Sequence, residues 1–98
     1  MSQSKSNRFS MDRLVMTNTI NVTMVENGIF AREIKSALDR YASCDWGDIT
    51  AGDKELNNEA VKSGNDRILA AFPTLEGRIY IITEYDRSYT TIMFCNEY

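Results

Sequence analysis

The order of apolar and polar residues near the start of the chain predicts a first strand. From residue 14 onward the even positions are mostly apolar, and these are Leu14, Met16, Ile20, Val22 and Met24. Threonine and asparagine fill most of the odd positions, and a period of two is typical of a half-buried β-strand. The later part of this stretch also fits a helix, because Val22, Val25 and Ile29 recur at helical spacing.

After Asn27 the period changes and predicts an amphipathic helix. Apolar residues recur every three or four positions, at Phe30, Ile34, Leu38 and Tyr41. Asn27 is a suitable N-cap, because its side-chain oxygen can accept a hydrogen bond from an amide of the first turn. We expect this helix to end near residues 43–44, before a loop of sequence Asp-Trp-Gly-Asp at residues 45–48.

A second helix is predicted to begin at Ala51, between two local capping signals. Thr50 and Asp53 stand three positions apart, as in a capping pair, and Gly64 suits the C-terminal cap. Three apolar positions should face the core, and these are Leu56, Ala60 and Val61. The polar positions should face outward, and these are Asp53, Lys54, Glu55, Asn57, Asn58, Glu59 and Lys62.

The last third of the chain predicts three consecutive antiparallel strands. Residues 67–72, 78–84 and 89–95 are rich in Ile, Tyr, Phe and Thr, and hairpin-length segments separate them. Both faces of the middle strand carry apolar residues, which favours a central position in the sheet. The expected fold is a single small α+β domain over residues 11–98, in which an N-terminal strand and two helices pack on a three- to four-stranded antiparallel sheet. Residues 1–10 are predicted to form a flexible arm.

Composition and charge limit the classes of protein that fit. The chain has 98 residues, a length that suits one domain, and no apolar stretch approaches the roughly 20 residues of a bilayer span. The first ten residues lack the apolar core of a secretion signal, so we expect a cytoplasmic protein without membrane attachment. The net charge is −3, which argues against direct nucleic-acid binding. Cys44 and Cys95 are too few for a disulfide framework and are expected to be reduced thiols.

Few residues suggest catalysis. The chain has no histidine and none of the common nucleotide-binding or hydrolase motifs, so the sequence predicts a non-enzymatic protein without a cofactor. A metal-dependent hydrolase of nucleic acids remains an alternative, because carboxylates alone can bind Mg²⁺. The carboxylates available for it are Asp45, Asp48, Glu84 and Asp86.

The acidity of the chain is concentrated in residues 39–66, which contain seven acidic and three basic residues. An acidic surface of this kind can dock on a basic groove of another protein. The candidate partner-binding residues are Asp45, Trp46, Asp48, Asp53, Glu55, Glu59, Glu84, Asp86 and Arg87. Simpler interpretations compete with this one: the acids form a solvated helix face, and Trp46 fills the end of the core. In the last turn, Asp86 and Ser88 would stabilise the backbone while Glu84 pairs with Arg87 or Arg78.

Several blocks of sequence resemble a known family. The blocks are Cys-Asp-Trp-Gly-Asp at 44–48, Asp-Lys-Glu-Leu-Asn-Asn-Glu-Ala at 53–60, Arg-Ile-Leu-Ala-Ala at 67–71, Ile-Ile-Thr-Glu-Tyr-Asp-Arg-Ser-Tyr-Thr-Thr at 81–91 and Glu-Tyr at 97–98. Together they resemble small proteins of plasmids, conjugative elements and prophages of Firmicutes, often labelled plasmid-related proteins. The resemblance covers residues 17–98. The chain departs from the family pattern at residues 18–19, where Arg-Gly is usual, and at residues 95–96, where a proline and an acid are common.

The resemblance implies a genetic context and no catalytic residues. Small acidic proteins of mobile elements often inhibit host defence, as anti-CRISPR and antirestriction proteins do. The leading hypothesis is therefore an inhibitor that binds a bacterial defence complex at its basic nucleic-acid-binding groove. The alternatives are the metal-dependent hydrolase and a small structural or regulatory oligomer, such as a homodimer.

Overall fold

A computed structural model of the chain describes Phe9, Met11 and residues 13–98. These residues form strand β1 (Leu14–Met16), helices α1 (Asn18–Glu26), α2 (Gly28–Ala42) and α3 (Ala51–Ser63), strands β2 (Ile68–Phe72), β3 (Ile79–Thr83) and β4 (Thr90–Phe94), and a final 3₁₀ turn (Cys95–Glu97). The predicted α+β class is confirmed. The arm predicted for residues 1–10 lies outside the described residues except for Phe9, whose ring packs against Tyr41 and Trp46.

The first strand is present but covers only three residues of the stretch that alternates. Helix α1 follows it, and this helix was absent from the predicted order of elements. The hydroxyl of Thr17 accepts a hydrogen bond from the Ile20 amide and caps α1. The helical alternative for the later part of this stretch is thus confirmed, but the face that packs on the core is not the one that the predicted spacing indicated. Ile20 is fully buried and Met24 packs against the core, whereas Val22, Val25 and Ile29 are exposed. The even positions that mimic a strand also satisfy the i, i+4 spacing of a helix.

Helix α2 agrees with its prediction at both ends. The side chain of Asn27 accepts hydrogen bonds from the amides of Ile29 and Phe30. Tyr41, near the other end, is fully buried, and its hydroxyl shares a hydrogen bond with that of Thr83 at 2.7 Å. Local capping chemistry and a clear 3.6-residue period therefore place this helix correctly.

Helix α3 has the predicted caps, but the residues that face the sheet differ from those predicted. Thr50 caps the first turn, and Gly64 ends the helix with a left-handed φ of 75°. Ala60 is buried and Val61 is half-buried, as expected. Leu56, in contrast, is 68% exposed, and the polar Asn57 is only 5% exposed. The physical reason is that the amide of Asn57 satisfies the backbone of β2, as described next.

The four strands form one sheet of order β1-β4-β3-β2. The last three strands are antiparallel neighbours and lie within one residue of the predicted bounds, and β3 is central as predicted. The prediction of a purely antiparallel sheet was wrong, because β1 pairs with β4 in parallel. Parallel pairing requires a long crossover connection, and the three helices and two intervening strands provide one.

The outer edge of β2 is covered by side chains and loop backbone. Asn57 donates from its amide nitrogen to the Leu69 carbonyl at 2.8 Å and accepts from the Leu69 amide at 3.3 Å. Beside it, the Ala71 amide donates to the Trp46 carbonyl, and the Asp48 amide donates to the Ala71 carbonyl. This loop passes so close that a β-carbon on Gly47, which has a φ of 73°, would lie 2.1 Å from the Ala71 oxygen. The free edge of β2 is thereby closed.

Helices α1 and α2 cover the face of the sheet that carries Ile79, Ile81 and Ile92, all fully buried. Among the helices of the described residues, none combines the length and the hydrophobicity that a bilayer span requires. Cys44 and Cys95 are half-buried and are not joined in a disulfide.

Candidate protein-binding site

Trp46 belongs to the core and is therefore not a surface anchor. Its side chain is 2% exposed, and its ring lies edge-on to Tyr41 with 5.4 Å between the ring centroids. The indole nitrogen donates to the side-chain oxygen of Asn58 at 2.9 Å, which joins the loop to α3. The simpler interpretation, in which Trp46 fills the end of the core, is confirmed.

Two of the candidate acids have basic partners. Arg40 binds Asp45 through two nitrogens, the shorter distance being 2.8 Å, and this hydrogen bonding lowers the pKa of the Asp45 carboxyl. Arg78 lies 3.6 Å from the Asp48 carboxylate and also donates to its backbone carbonyl at 2.9 Å. These exposed pairs add little stability, but they reduce the negative charge that either acid presents to a partner.

Arg87 holds the backbone together instead of facing a partner. One terminal nitrogen donates to the Ala60 carbonyl at 2.7 Å, and the other donates to the Asp66 carbonyl at 2.6 Å and to the Glu84 and Tyr85 carbonyls at 3.2 Å. The residue also has a left-handed φ of 63°, which is uncommon for a non-glycine residue. Arg87 thus attaches the β3–β4 turn to the C-terminal end of α3.

The other residues of this turn divide between structure and surface. The Asp86 carboxylate accepts from the Ser88 amide at 3.0 Å, and hydrogen bonding to Ser88 lowers the pKa of Asp86. The expected stabilisation of the turn by Asp86 and Ser88 is therefore confirmed. The pairing expected for Glu84 is different in the structure, because Arg87 binds its carbonyl and Arg78 binds Asp48. Tyr85, which the sequence analysis did not single out, is 63% exposed at the tip.

The exposed face of α3 keeps its negative charge. Asp53, Glu55 and Glu59 are all exposed, and none of them forms an ion pair with another described residue. Glu55 and Glu59 stand four positions apart on the same stripe of the helix, where like charges repel each other by about 0.2–0.5 kcal/mol. Leu56 lies between these acids and is 68% exposed. Within the described residues, α3 therefore combines three carboxylates that form no ion pair with an exposed apolar side chain.

A groove runs beside this face, between α3 and the outer face of the sheet. One depression of about 240 Å³ is lined by Asp53, Leu56, Asn57, Arg67 and Leu69. A second depression of about 420 Å³ shares Asp53 and Leu69 with the first and adds Asp48, Ile49, Thr50, Arg78 and Tyr80. On the aromatic side of the groove, Arg67 donates to the Tyr98 hydroxyl at 2.7 Å, and the Tyr98 ring lies edge-on to Tyr80.

Sequence reasoning found the acids of this site but missed its apolar part. The thin apolar stripe of α3 predicts Leu56, with Ala60 and Val61, for the core. Leu69 and Tyr80 were recognised only as strand residues. A signal was present in the chain: Leu56 has acids at positions −3, −1 and +3, a pattern that is unusual for a residue facing a core.

The four carboxylates considered for metal binding do not converge. Across Phe9, Met11 and residues 13–98, no group of three or more Asp, Glu or Cys side chains has a geometry that could hold a metal ion. Asp45 is bound by Arg40 near the end of α2, and Asp86 is bound within its own turn. The positions of these carboxylates in the described residues therefore give no support to the alternative of a metal-dependent hydrolase.

Comparison of the chain with protein-family models, with curated proteins and with solved structures finds no match. The family resemblance therefore stays a prediction, and the surface itself is the basis for a functional argument. The fold and this surface describe a small α+β protein whose clearest functional feature is an acidic helix beside a groove.

Proposed function

We propose that the protein is a non-enzymatic binding protein that recognises a basic surface of another protein through the exposed face of α3. The observation that carries the proposal is the position of Leu56, exposed among Asp53, Glu55 and Glu59. A solvated helix face needs no large apolar residue, whereas a protein interface commonly combines an apolar anchor with a charged rim.

The charges of α3 favour a cationic partner over solvent. Glu55 and Glu59 repel each other on the free helix, and a lysine or arginine of the partner placed between them would remove that repulsion. Asp53 extends the acidic surface toward the groove. The binding should therefore be fast at low ionic strength and weaken as salt rises.

The groove supplies a site for the apolar part of the contact. Leu56 and Leu69 line the same depression, and Asn57 between them is fixed by its two hydrogen bonds to β2. A partner side chain that enters here meets both Asp53 and Arg67, which line the same depression. The partner segment is expected to present a basic residue next to an aliphatic or aromatic one.

The family resemblance suggests which basic surface is the target. Basic grooves that bind nucleic acid are typical of CRISPR effectors and restriction enzymes, and an acidic protein can occupy such a groove. The proposal is therefore an inhibitor of a bacterial defence complex, encoded by a mobile element and acting in the cytoplasm of the host.

The test uses charge reversal on α3 with a matched control. The variant with Asp53, Glu55 and Glu59 all changed to Lys, and the single Glu59→Lys variant, should lose both co-purification with a defence complex and protection of a targeted plasmid. Glu26→Lys is the control for the single variant, because Glu26 is exposed on α1 and the change in net charge is the same. Leu56→Ser should weaken the same binding without changing net charge.

Two results would contradict the proposal. The first is protection of targeted plasmids that is unchanged in the triple variant. The second is an equal loss in Glu59→Lys and Glu26→Lys, which would mean that overall charge and not the α3 face is responsible. Circular dichroism of each variant shows whether the fold is retained.

A further inference from the structure

The two edges of the sheet differ sharply in how their backbone groups are satisfied. At the β2 edge, both polar groups of Leu69 bind Asn57, and both polar groups of Ala71 bind the loop backbone. Natural sheets protect their edges in this way because an open edge pairs readily with another strand. The opposite edge, formed by β1, has no comparable cover among the described residues.

The register of β1 shows which groups are open. The Thr90 amide donates to the Arg13 carbonyl, and the Thr17 amide donates to the Ile92 carbonyl. In a parallel ladder, the residue between two such positions also binds β4, so the backbone of Val15 faces β4. The amides and carbonyls of Leu14 and Met16 therefore point away from the sheet, and no described residue binds them.

The chemistry around this edge is unlike the rest of the surface. Residues 14–25 contain no charged residue, although 26% of the chain is charged and about three charges would be expected in a stretch of that length. Leu14 and Val15 are 43% and 40% exposed, and β1 contains no lysine or proline of the kind that commonly prevents edge pairing.

A second copy of this chain fits the edge better than a charged partner does. Each copy has a net charge of −3, so two copies repel each other wherever acids meet, and strand β1 itself carries no acid. The acid at its end, Glu97, is engaged by the Thr17 hydroxyl at 3.0 Å. The edge is also self-complementary. If two β1 strands meet antiparallel about a two-fold axis at Val15, Leu14 of one strand lies opposite Met16 of the other, and about four backbone hydrogen bonds form.

We propose that the protein forms a two-fold homodimer by antiparallel pairing of β1 with β1 of a second copy. The result is a continuous eight-stranded sheet with the order β2-β3-β4-β1-β1-β4-β3-β2, which follows from the strand order of each copy. Helix α3 packs against β2, at the far edge of each copy. The dimer therefore leaves both α3 faces free and presents two binding surfaces, which raises the avidity for a target with repeated sites.

The dimer should be weak and should respond to salt in a characteristic direction. A three-residue strand covers less than the roughly 800 Å² per partner of a standard interface, so we expect dissociation constants on the order of 10 μM to 1 mM. Because both copies are negatively charged, added salt should strengthen the dimer. The binding proposed for α3 should weaken with salt, so the two associations are distinguishable.

The experiment is sedimentation equilibrium of the full chain from about 10 μM to 1 mM, with no partner present. The expected result is a rise in average mass from one copy toward two. Val15→Lys should weaken dimerisation about tenfold or more, because the two lysines would face each other at the axis. Leu75→Lys is the control, since Leu75 is an exposed aliphatic residue in the turn between β2 and β3. Hydrogen exchange adds a local readout: the amides of Leu14 and Met16 should become protected as concentration rises.

The proposal is overturned if the chain remains monomeric up to about 1 mM. It is also overturned if Val15→Lys dimerises like the unmodified chain, or if Val15→Lys and Leu75→Lys weaken dimerisation equally. A dimer that leaves the Leu14 and Met16 amides unprotected places the interface elsewhere and rejects β1 pairing. None of these results depends on the function proposed for α3.

Discussion

A single arginine joins three separate segments of the chain. The Arg87 guanidinium binds the Ala60 carbonyl of α3, the Asp66 carbonyl before β2 and two carbonyls of its own turn. A planar guanidinium with five donors can reach all of these at once, whereas a lysine ammonium cannot. The residue that sequence analysis assigned to recognition is thus explained by its role in stability.

We expect Arg87→Lys to lower the free energy of unfolding by about 1–3 kcal/mol, because the charge-assisted hydrogen bonds of the guanidinium to the Ala60 and Asp66 carbonyls are lost. Urea denaturation measures the change. Arg67→Lys is the control, since Arg67 is exposed and makes one side-chain hydrogen bond, to Tyr98, and its effect should stay within about 0.5 kcal/mol. Equal effects of the two substitutions would contradict this role for Arg87.

A second prediction concerns Asn57, for which the adjacent Asn58 provides a control. Its amide donates to the Leu69 carbonyl, so Asn57→Asp at neutral pH sets a carboxylate against that carbonyl and should cost about 1–3 kcal/mol. Part of the loss should be regained below the pKa of the new carboxyl, where its proton can be donated. Asn58→Asp should be close to neutral, because the Asn58 side chain accepts from the Trp46 indole and donates to no other described residue. Thermal unfolding at pH 7 and pH 4 separates the two variants.

Sequence alone could predict the residues whose chemistry is local. Asn27, Thr50 and Gly64 are caps that depend on the adjacent turn, and all three are placed correctly. Asn57 could not be predicted, because its partner lies twelve residues away on an edge strand whose position depends on the whole sheet. The helical period alone favoured Leu56 for the core. In the folded chain the side chain of Asn57 faces β2 instead, because it satisfies the backbone of Leu69.

At the scale of elements, the last three strands and their pairing were predictable, whereas the first strand was predictable only in its presence from Leu14 and not in its length or its partner. The strands β2, β3 and β4 are consecutive and joined by short turns, so their pairing follows from sequence order. The pairing of β1 with β4 joins residues more than seventy positions apart, and no local signal indicates it. The acids of the candidate site were visible in the chain, but the groove beside them depends on how α3 packs against β2.

Two glycines, one within the loop along β2 and one in the first turn of α3, should respond to substitution in opposite ways. We expect Gly47→Ala to be severely destabilising, by about 3 kcal/mol or more, because the new β-carbon would meet the Ala71 oxygen and the Phe72 ring. Gly52→Ala should instead stabilise by up to about 1 kcal/mol, since Gly52 lies in the first turn of α3 and nothing stands within 4 Å of an added β-carbon. Chemical denaturation should show opposite signs for the two changes.

The whole molecule is held at one end by a buried network of hydroxyls. Tyr41 of α2 bonds with Thr83 of β3, and Thr83 bonds with Thr90 of β4 at 2.8 Å. Burial raises the pKa of Tyr41, although the hydrogen bonds with Thr83 lower it in part. The charge state of one phenol is therefore linked to the packing of a helix on two strands.

This linkage fixes the sign of the alkaline response. The unfolded chain releases the Tyr41 proton near the ordinary tyrosine pKa of about 10, whereas the folded chain retains it to higher pH. The contribution of Tyr41 is complete below pH 10, and above it stability should fall by up to about 1.4 kcal/mol per pH unit. We expect Tyr41→Phe to be less stable at pH 7 through the lost hydrogen bonds, and its stability to fall less steeply above pH 10. Urea denaturation between pH 8 and pH 11.5 measures how the free energy of unfolding changes with pH in the unmodified chain and in Tyr41→Phe. Tyr85→Phe, at an exposed tyrosine, is the control. Parallel slopes for Tyr41→Phe and the unmodified chain would show that ionisation of the Tyr41 phenol is not linked to folding.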